Sequence, residues 1–566
     1  MAVGVGVLLA AGRAMAQTPV GCDGKIISAV IVHPRPPSAG DLPGIVGAAV
    51  RKASAIHAVT RPRVIEAFLA LHAGDVCTEL RRGESERILR DLPFIVSARI
   101  TATADDRGRV QLDVYTTDET SLLLNANVQG ASPYFTRARL GDGNTGGQGL
   151  LTEADWREGF GYRDHYGAQV TDYALFGRPL GLSLQGSRDE IGGTWHATFV
   201  RPFYSDLQKF GWLVDAGEIR IYIPFLRPTS PDAVDLDYTR HWDQVGGIAR
   251  LGRPGHLTLY GVTLSEEREE SGAIPVYVTD SGLRNDTIDT FASQYSQHHI
   301  ARLNALWGIR EIRYRQARGF DALTGVQDIA TGVQFGTLVG HSLALLGAQD
   351  NDVFVSSTLY AGAGNAHSFV GFQADGEGRE DLSTSHWDGV LTGARLAWYW
   401  KPLPDQTVIV SSEFGIGLQP RLPFALTLGD PDGGVRGYTT ARVVGGARSV
   451  TRIEERWSWG SFHHFADLGL ATFVDGGQMW AEHVPFGVNT GMVVGAGFGL
   501  LAAVPPQSKR LLRVDFDFPI THEPYARFVI RFSTTDRTRA FYVEPRDFSR
   551  AREQTVPTSI FQFPSN

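Results

Sequence analysis

From about residue 119 to residue 533, this chain of 566 residues keeps a single period. Apolar and polar residues alternate in short runs set apart by turn-forming residues, and the three-to-four spacing of a helix is missing. In "LLRVDFDFPI", Leu512, Val514, Phe516 and Phe518 oppose Arg513, Asp515 and Asp517; in "ARFVIRF", Phe528, Ile530 and Phe532 oppose Arg527 and Arg531. In "TVIVSSEFGIGLQ", Val408, Val410, Phe414, Ile416 and Leu418 share one face, with Ser411, Glu413, Gly415, Gly417 and Gln419 on most of the other. Successive side chains of a strand point to opposite faces, so each segment has an oily face and a wet one. A soluble sandwich turns the oily face inward, and a membrane barrel turns it outward. Scale decides between them: some 410 residues is large for one sandwich, but suits about 16 strands at roughly 26 residues per strand and turn. Trp398 and Trp400 in "AWYW", and Trp457 and Trp459 in "RWSWG", alternate outward near segment ends, as an interfacial girdle requires. In lipid every backbone polar group needs an internal partner, so such a sheet has to close. The expected fold class is an all-β transmembrane barrel of about 16 antiparallel strands over 119–533, preceded by a small α+β domain.

That domain occupies residues 24–118, where both periods appear. "KIISAVIVH" reads as a strand. Thr60 is placed to cap a helix with Pro62 in its first turn, and Gly74 stops it. A second helix follows Thr78, with Leu80, Ile88, Leu89 and Leu92 on one side. Val96, Ala98, Ile100 and Ala102 then alternate with polar residues, and a "DDRG" turn leads into Val110, Leu112 and Val114. The order is β-α-α-β-β, with one apolar sheet face under two helices.

Both ends and the composition narrow the setting. Residues 1–16 close on Ala14-Met15-Ala16 after an apolar run, which reads as a secretory signal cleaved after Ala16, although its first residues carry no Lys or Arg. Cys22 and Cys77 are the two cysteines; an oxidising compartment would let them pair, but their presence alone does not pair them. The longest apolar candidate, "MVVGAGFGLLAAV" at 492–504, is too short and glycine-broken for a spanning helix. A net charge of −8 without a basic stripe argues against nucleic acid.

Four motifs carry a resemblance. "GDGNTGGQGLL" (141–151), "VRPFYSD" (200–206), "VRGY" (435–438) and "FVDGG" (473–477) occur in that order after the β-α-α-β-β unit. The chain thereby resembles the BamA/TamA-like outer-membrane assembly and secretion superfamily, with residues 24–118 similar to one POTRA domain. The resemblance implies a loop folded back into the barrel lumen, its arginine paired with acids on the inner wall. Carried onto this chain, the latch comprises Val435, Arg436, Gly437, Tyr438, Asp475 and Gly476, plus an acid from "RIEERWSW". Parity chooses that acid: with Trp457 and Trp459 facing lipid, Glu455 does too, and Glu454 faces the lumen. A guanidinium fork holds two carboxylates and stays charged, and Gly434 and Gly437 allow close turns.

The resemblance further implies non-covalent work at the outer membrane of a Gram-negative-type bacterium, with the POTRA-like domain in the periplasm. Its partners would be unfolded outer-membrane or secreted client proteins, outer-membrane lipid, and accessory periplasmic or lipoprotein subunits. The first and last strands would form a seam, pairing the region near Ser121 with "RFVIRFS". Two other readings stay open: a dedicated two-partner-type secretion channel, and a plain outer-membrane pore. No enzyme, cofactor or metal is expected. "GDGNTG" fits G-x-G-x-x-G but lacks a βαβ frame; His298-His299 and His463-His464, read as strand neighbours, would point apart and become rim or lumen histidines; and no G-x-S-x-G signature occurs. Residues 534–566 form a polar tail beyond the last strand, with Pro545 and Pro557, that is free to enter the lumen or cover the periplasmic mouth.

Overall fold

A computed structural model describes residues 20–548 apart from 23, 39, 45–46, 49–51, 53–56, 106, 130–133, 160–162, 190, 228–232, 280, 287–290, 430–432, 439–442, 522–527 and 536–547, together with Arg552. The expected signal segment and both tail prolines lie outside the described residues. At the N-terminus, β1 (Ile27–Arg35), α1 (Pro62–Ala67), α2 (Glu79–Asp91), β2 (Ile95–Ala104) and β3 (Val110–Asp118) follow in the expected order. The sheet order is β1-β3-β2, with β3 central, parallel to β1 and antiparallel to β2. Ile100, Ala102, Val110, Leu112 and Val114 bury one face against Ile65, Phe68, Ile88 and Leu89 of the helical layer.

Three details depart from the sequence reading. α1 ends at Ala67, with Phe68 as its C-cap, so Gly74 does not stop it. Leu80 is exposed, because it sits in the first turn of α2, away from the side that meets the sheet. Thr60 does not cap α1: the N-cap is Arg61, and it makes no side-chain cap bond. Thr60 instead donates its hydroxyl to Asp118 Oδ1 at 2.8 Å. Thr78 does cap α2, accepting from the Arg81 N–H. Cys22 and Cys77 form a disulfide with Cα atoms 5.0 Å apart. Beside it, Arg82 and the Cys22 N–H both donate to Glu79 and hold its carboxyl below the usual range. That contribution is present above the ordinary carboxylate pKa and is lost as pH falls through the lowered one.

From Leu122 to Thr535 one antiparallel sheet closes on itself. It passes through twenty-two strands among the described residues. Two of these, Val276–Thr279 and Gly282–Asn285, are a short hairpin in the connection between His256–Ser271 and His298–Arg318, which pair directly with each other. Twenty strands therefore form the wall, against the sixteen expected. The surplus arises early, where six strands of eight or nine residues fit between Leu122 and Arg201, joined by short connections. The seam is where it was expected: Val529–Thr535 lies beside Leu122–Gln129.

The burial pattern is inside out relative to a soluble core. Leu124, Val262, Val339, Ile453, Val474 and Ile530 are exposed on the outer face, whereas Arg240, Arg302, Glu267, Asp475, Asp515 and Asp517 are buried within. Trp398, Trp400 and Trp459 stand exposed toward one end of the wall, and Trp195 and Trp387 toward the other. No described helix is long and apolar enough to cross a membrane, which says nothing of strands.

The N-terminal domain is docked on one mouth, called here the near mouth, through the turns that two of the motifs form. Asn144 is buried, donating to Thr60 Oγ1 at 2.7 Å and accepting the Gly149 N–H at 2.7 Å. The Arg61 N–H donates to the Gly147 carbonyl at 2.8 Å. In "RPFYSD", Tyr204 packs edge-on against Phe68 with centroids 5.2 Å apart, and Ser205 donates to Glu84 at 2.7 Å. Arg90 grips Asp328 with two bonds, at 2.9 and 2.8 Å. Gly147 is the tightest point: its φ is +68°, and a Cβ there would lie 2.1 Å from the Val59 carbonyl oxygen. Gly147→Ala should therefore cost more than about 1 kcal/mol. It would show as faster amide exchange at Arg61 while the strands of the wall stay protected.

Candidate functional site

The connection from Gln406–Leu418 to Ala447–Phe462 leaves the far end of the wall and folds into the lumen. Leu422, Phe424, Leu426 and Leu428 recur at every second position and are all buried, so this segment behaves as an extended chain without joining the sheet. Two isolated bridges shape it, Leu426 with Gly445 and Gly429 with Val435. A Cβ at Gly434 would lie 2.0 Å from the Leu428 carbonyl oxygen, and Gly437 has φ +90°, so both glycines are required by the path.

Arg436 ends this path. Its Nε donates to Asp475 Oδ2 at 2.6 Å and its Nη2 to Asp475 Oδ1 at 2.7 Å, a two-pronged bond. Nη1 donates to Glu454 Oε2 at 2.9 Å. The backbone N–H of Arg436 adds a bond to Asp475 Oδ2 at 3.3 Å. The guanidinium lies over the Phe473 ring, 3.5 Å from its centroid. All three charged residues are buried, which is tolerable only because each charge is paired.

The other expected residues take distinct places. Val435 is buried with Leu428, Tyr438, Val450, Met479 and Val493. The Tyr438 hydroxyl lies 2.9 Å from the Thr521 carbonyl oxygen and 3.2 Å from that of Val494. Gly476 sits in its strand with nothing nearer to a Cβ than Met492 Sδ at 3.4 Å. Gly477 makes the room for the loop, since its Cβ would fall 2.6 Å from Val435 Cγ2. Glu455 is away from the latch and accepts from Gln406.

Several members were missed. Phe473 is two residues before Asp475, on the same face of "FVDGG", so parity could have found it. Glu454 is also held by Arg513 at 2.9 and 3.0 Å and by Arg456 at 2.6 Å. Arg513 continues to Asp515, and Asp515 accepts from Arg531 of the last strand at 3.0 Å. The wet faces of "LLRVDFDF" and "RFVIRF" thus join the latch to the strand beside the seam. Arg452 braces the loop from below, donating to the carbonyls of Gly433 at 2.6 Å and Gly434 at 2.9 Å.

The histidine pairs are separated as follows. His298 lies 3.2 Å from Asp350, and His299 lies 3.1 Å from Glu266. His463 and His464 are not strand residues: both have left-handed φ, 48° and 53°, in a near-mouth turn. Their carbonyls accept from the Asp41 N–H and the Ser38 hydroxyl of the N-terminal domain, at 2.8 and 2.7 Å.

Fold and site together define a closed barrel with an oily exterior and a charged interior, its far-side loop pinned inside by one arginine and a small α+β domain at the near mouth. Among solved structures, the chain matches BamA from Haemophilus ducreyi lacking POTRA domains 1–3 at 11% identity and TM-score 0.39, over 90% of this chain and 84% of that one. It matches CdiB from Acinetobacter baumannii at 11% and 0.41, over 90% and 73%, and CdiB from Escherichia coli at 12% and 0.38, over 93% and 92%. No family model and no curated protein matches the chain.

Proposed function

We propose that this protein sits in the outer membrane of a Gram-negative-type bacterium and assists client proteins into or across that membrane without covalent chemistry. Residues 24–118 form the periplasmic, client-facing unit, residues 119–533 form the barrel, and the far mouth opens to the outside. The observation that carries the reading is Arg436, held by Asp475 and Glu454 at the end of an inward-folded loop. A plain pore has no use for a buried three-charge latch together with a domain docked on its mouth. Arg436 is the latch, Glu454 and Asp475 its catch, and Val435, Gly437 and Tyr438 hold the loop in shape beside Gly476 and Gly477. Dedicated export of one secreted partner is the second reading. It is favoured by the twenty-strand wall, since lumen width grows with strand number.

The membrane setting has its own test. Val474 faces outward between two lumen-facing residues, Phe473 and Asp475. Val474→Arg should cost about 2–4 kcal/mol at bilayer depth, read from urea titrations of the barrel in lipid, whereas a water-facing site would tolerate it. Depleting the protein in its host tests the function, with outer-membrane and secreted proteins quantified. Loss of many barrel proteins would mark a general assembly factor, and loss of one or two a specialised inserter or exporter. No change in any client would overturn the reading.

A further inference from the structure

A second arginine of the in-folded loop is buried at the opposite end from Arg436. The strand Gln406–Leu418 gives way at Gln419, whose φ of 47° is left-handed and redirects the chain. The Gln419 carbonyl accepts from the Gly389 N–H at 2.8 Å. Two residues on, the Arg421 guanidinium is only 4% exposed and faces acids from several parts of the far mouth. Its Nη2 donates to Asp350, and its Nη1 to Asp352 Oδ2 at 3.4 Å. Glu269 lies 3.6 Å from Nε, and Asp388 4.0 Å from Nη1. These carboxylates belong to the far ends of His256–Ser271, Asp352–Gly364 and His386–Leu403, and to the connection just before Asp352.

The two acids bonded to Arg421 have other partners. Asp352 accepts from Arg302 at 3.2 and 2.5 Å and from Ser342, and Asp350 lies 3.2 Å from His298. The wall ends are therefore held without Arg421, whereas the root of the loop is not. Past Gln419, the first bridge along the loop is that of Leu426 with Gly445. A buried guanidinium is tolerable only when paired, and its charge-assisted bonds are directional. Arg421 thus fixes the place where the loop leaves the wall. It shares no acid with Arg436, whose partners are Asp475 and Glu454, so either attachment can be removed with the other in place.

We propose that Arg421 is a positioning residue for the latch, pinning the root of the loop to the far mouth independently of Arg436, so that the loop has two separately breakable attachments. The proposal rests on the reading of Arg436 as the latch. Its test is amide hydrogen exchange of the full chain in lipid, for the native protein, Arg421→Ala and Arg436→Ala. In Arg421→Ala the amides of Gly389 and Leu426 should exchange about tenfold faster or more, with Val435 and Tyr438 protected as in the native chain. Arg436→Ala should show the reverse pattern. Native protection of Gly389 in Arg421→Ala overturns the pin, and loss at both ends from either variant overturns its independence. Asp350→Asn guards against misfolding: it lies outside the strands, and it should loosen Gly389 in the same direction. Unchanged protection there overturns the pairing that the proposal relies on. In the depleted host, Arg421→Ala should restore fewer clients than the native chain at matched levels, and Arg421→Lys, which keeps a cation before Asp350, should recover part of the difference. Full restoration by Arg421→Ala overturns the positioning role. If depletion alters no client, the proposed function falls and the exchange result still decides the pin.

Discussion

Arg436→Ala is expected to release the loop while leaving the wall intact. Removing the guanidinium leaves Asp475 and Glu454 buried, and Asp475 loses its two-pronged donor, whereas Glu454 keeps Arg456 and Arg513. Breaking a buried pair from one side costs about 3–5 kcal/mol. The loss falls on the loop, because the wall is held by its own ladders, including the pairing of Arg452 with Asp475 across adjacent strands. Limited proteolysis in lipid should therefore cut between residues 419 and 446 in the variant and not in the native chain. Arg436→Lys should rescue only partly, since an ammonium cannot reproduce the fork that spans Asp475 and Glu454. A native-like cleavage pattern for Arg436→Ala would remove the latch.

Cys77→Ser should have the second large effect, this time on the N-terminal domain. The disulfide joins residues 55 apart and ties the segment before β1 to the segment before α2. Removing a native disulfide from a small domain costs about 2–5 kcal/mol, a large share of what a domain of this size has. Both sulfur-bearing residues are fully buried with Ile27 and Leu71, so the variant also leaves a hydroxyl in an apolar setting. Far-wall strands should be unaffected in hydrogen exchange, and amides of β1 and β3 should lose protection. Unchanged protection there would mean that the docked turns, rather than the disulfide, hold the domain.

How much of this was legible in the sequence varied with the physics behind each feature. The barrel was legible because a single sheet with one apolar and one polar face forces strict alternation, as with Phe516 and Phe518 against Asp515 and Asp517. Glu454 was separable from Glu455 for the same reason, since neighbouring strand positions cannot share a face. Strand number was not legible, because an average length per strand hides six short strands in succession before Arg201. Thr60 reads as a helix cap by local rules, and only the distant Asp118 and Asn144 show where its hydroxyl goes. His463 and His464 defeated parity because their left-handed backbone makes them turn residues. The seat of Phe548 and Arg552 leaves no periodic trace at all: two residues in a polar tail are matched to partners as far as Phe225 and Arg240, more than three hundred positions earlier.

The most direct measurement is complementation of the depleted host by the native chain and, separately, by Arg436→Ala at matched outer-membrane levels, with client proteins quantified. The account predicts that the native chain restores the lost clients and that the variant, present and inserted, does not. Equal restoration by both chains would contradict it, leaving Arg436 a packing detail of a barrel that works by other means.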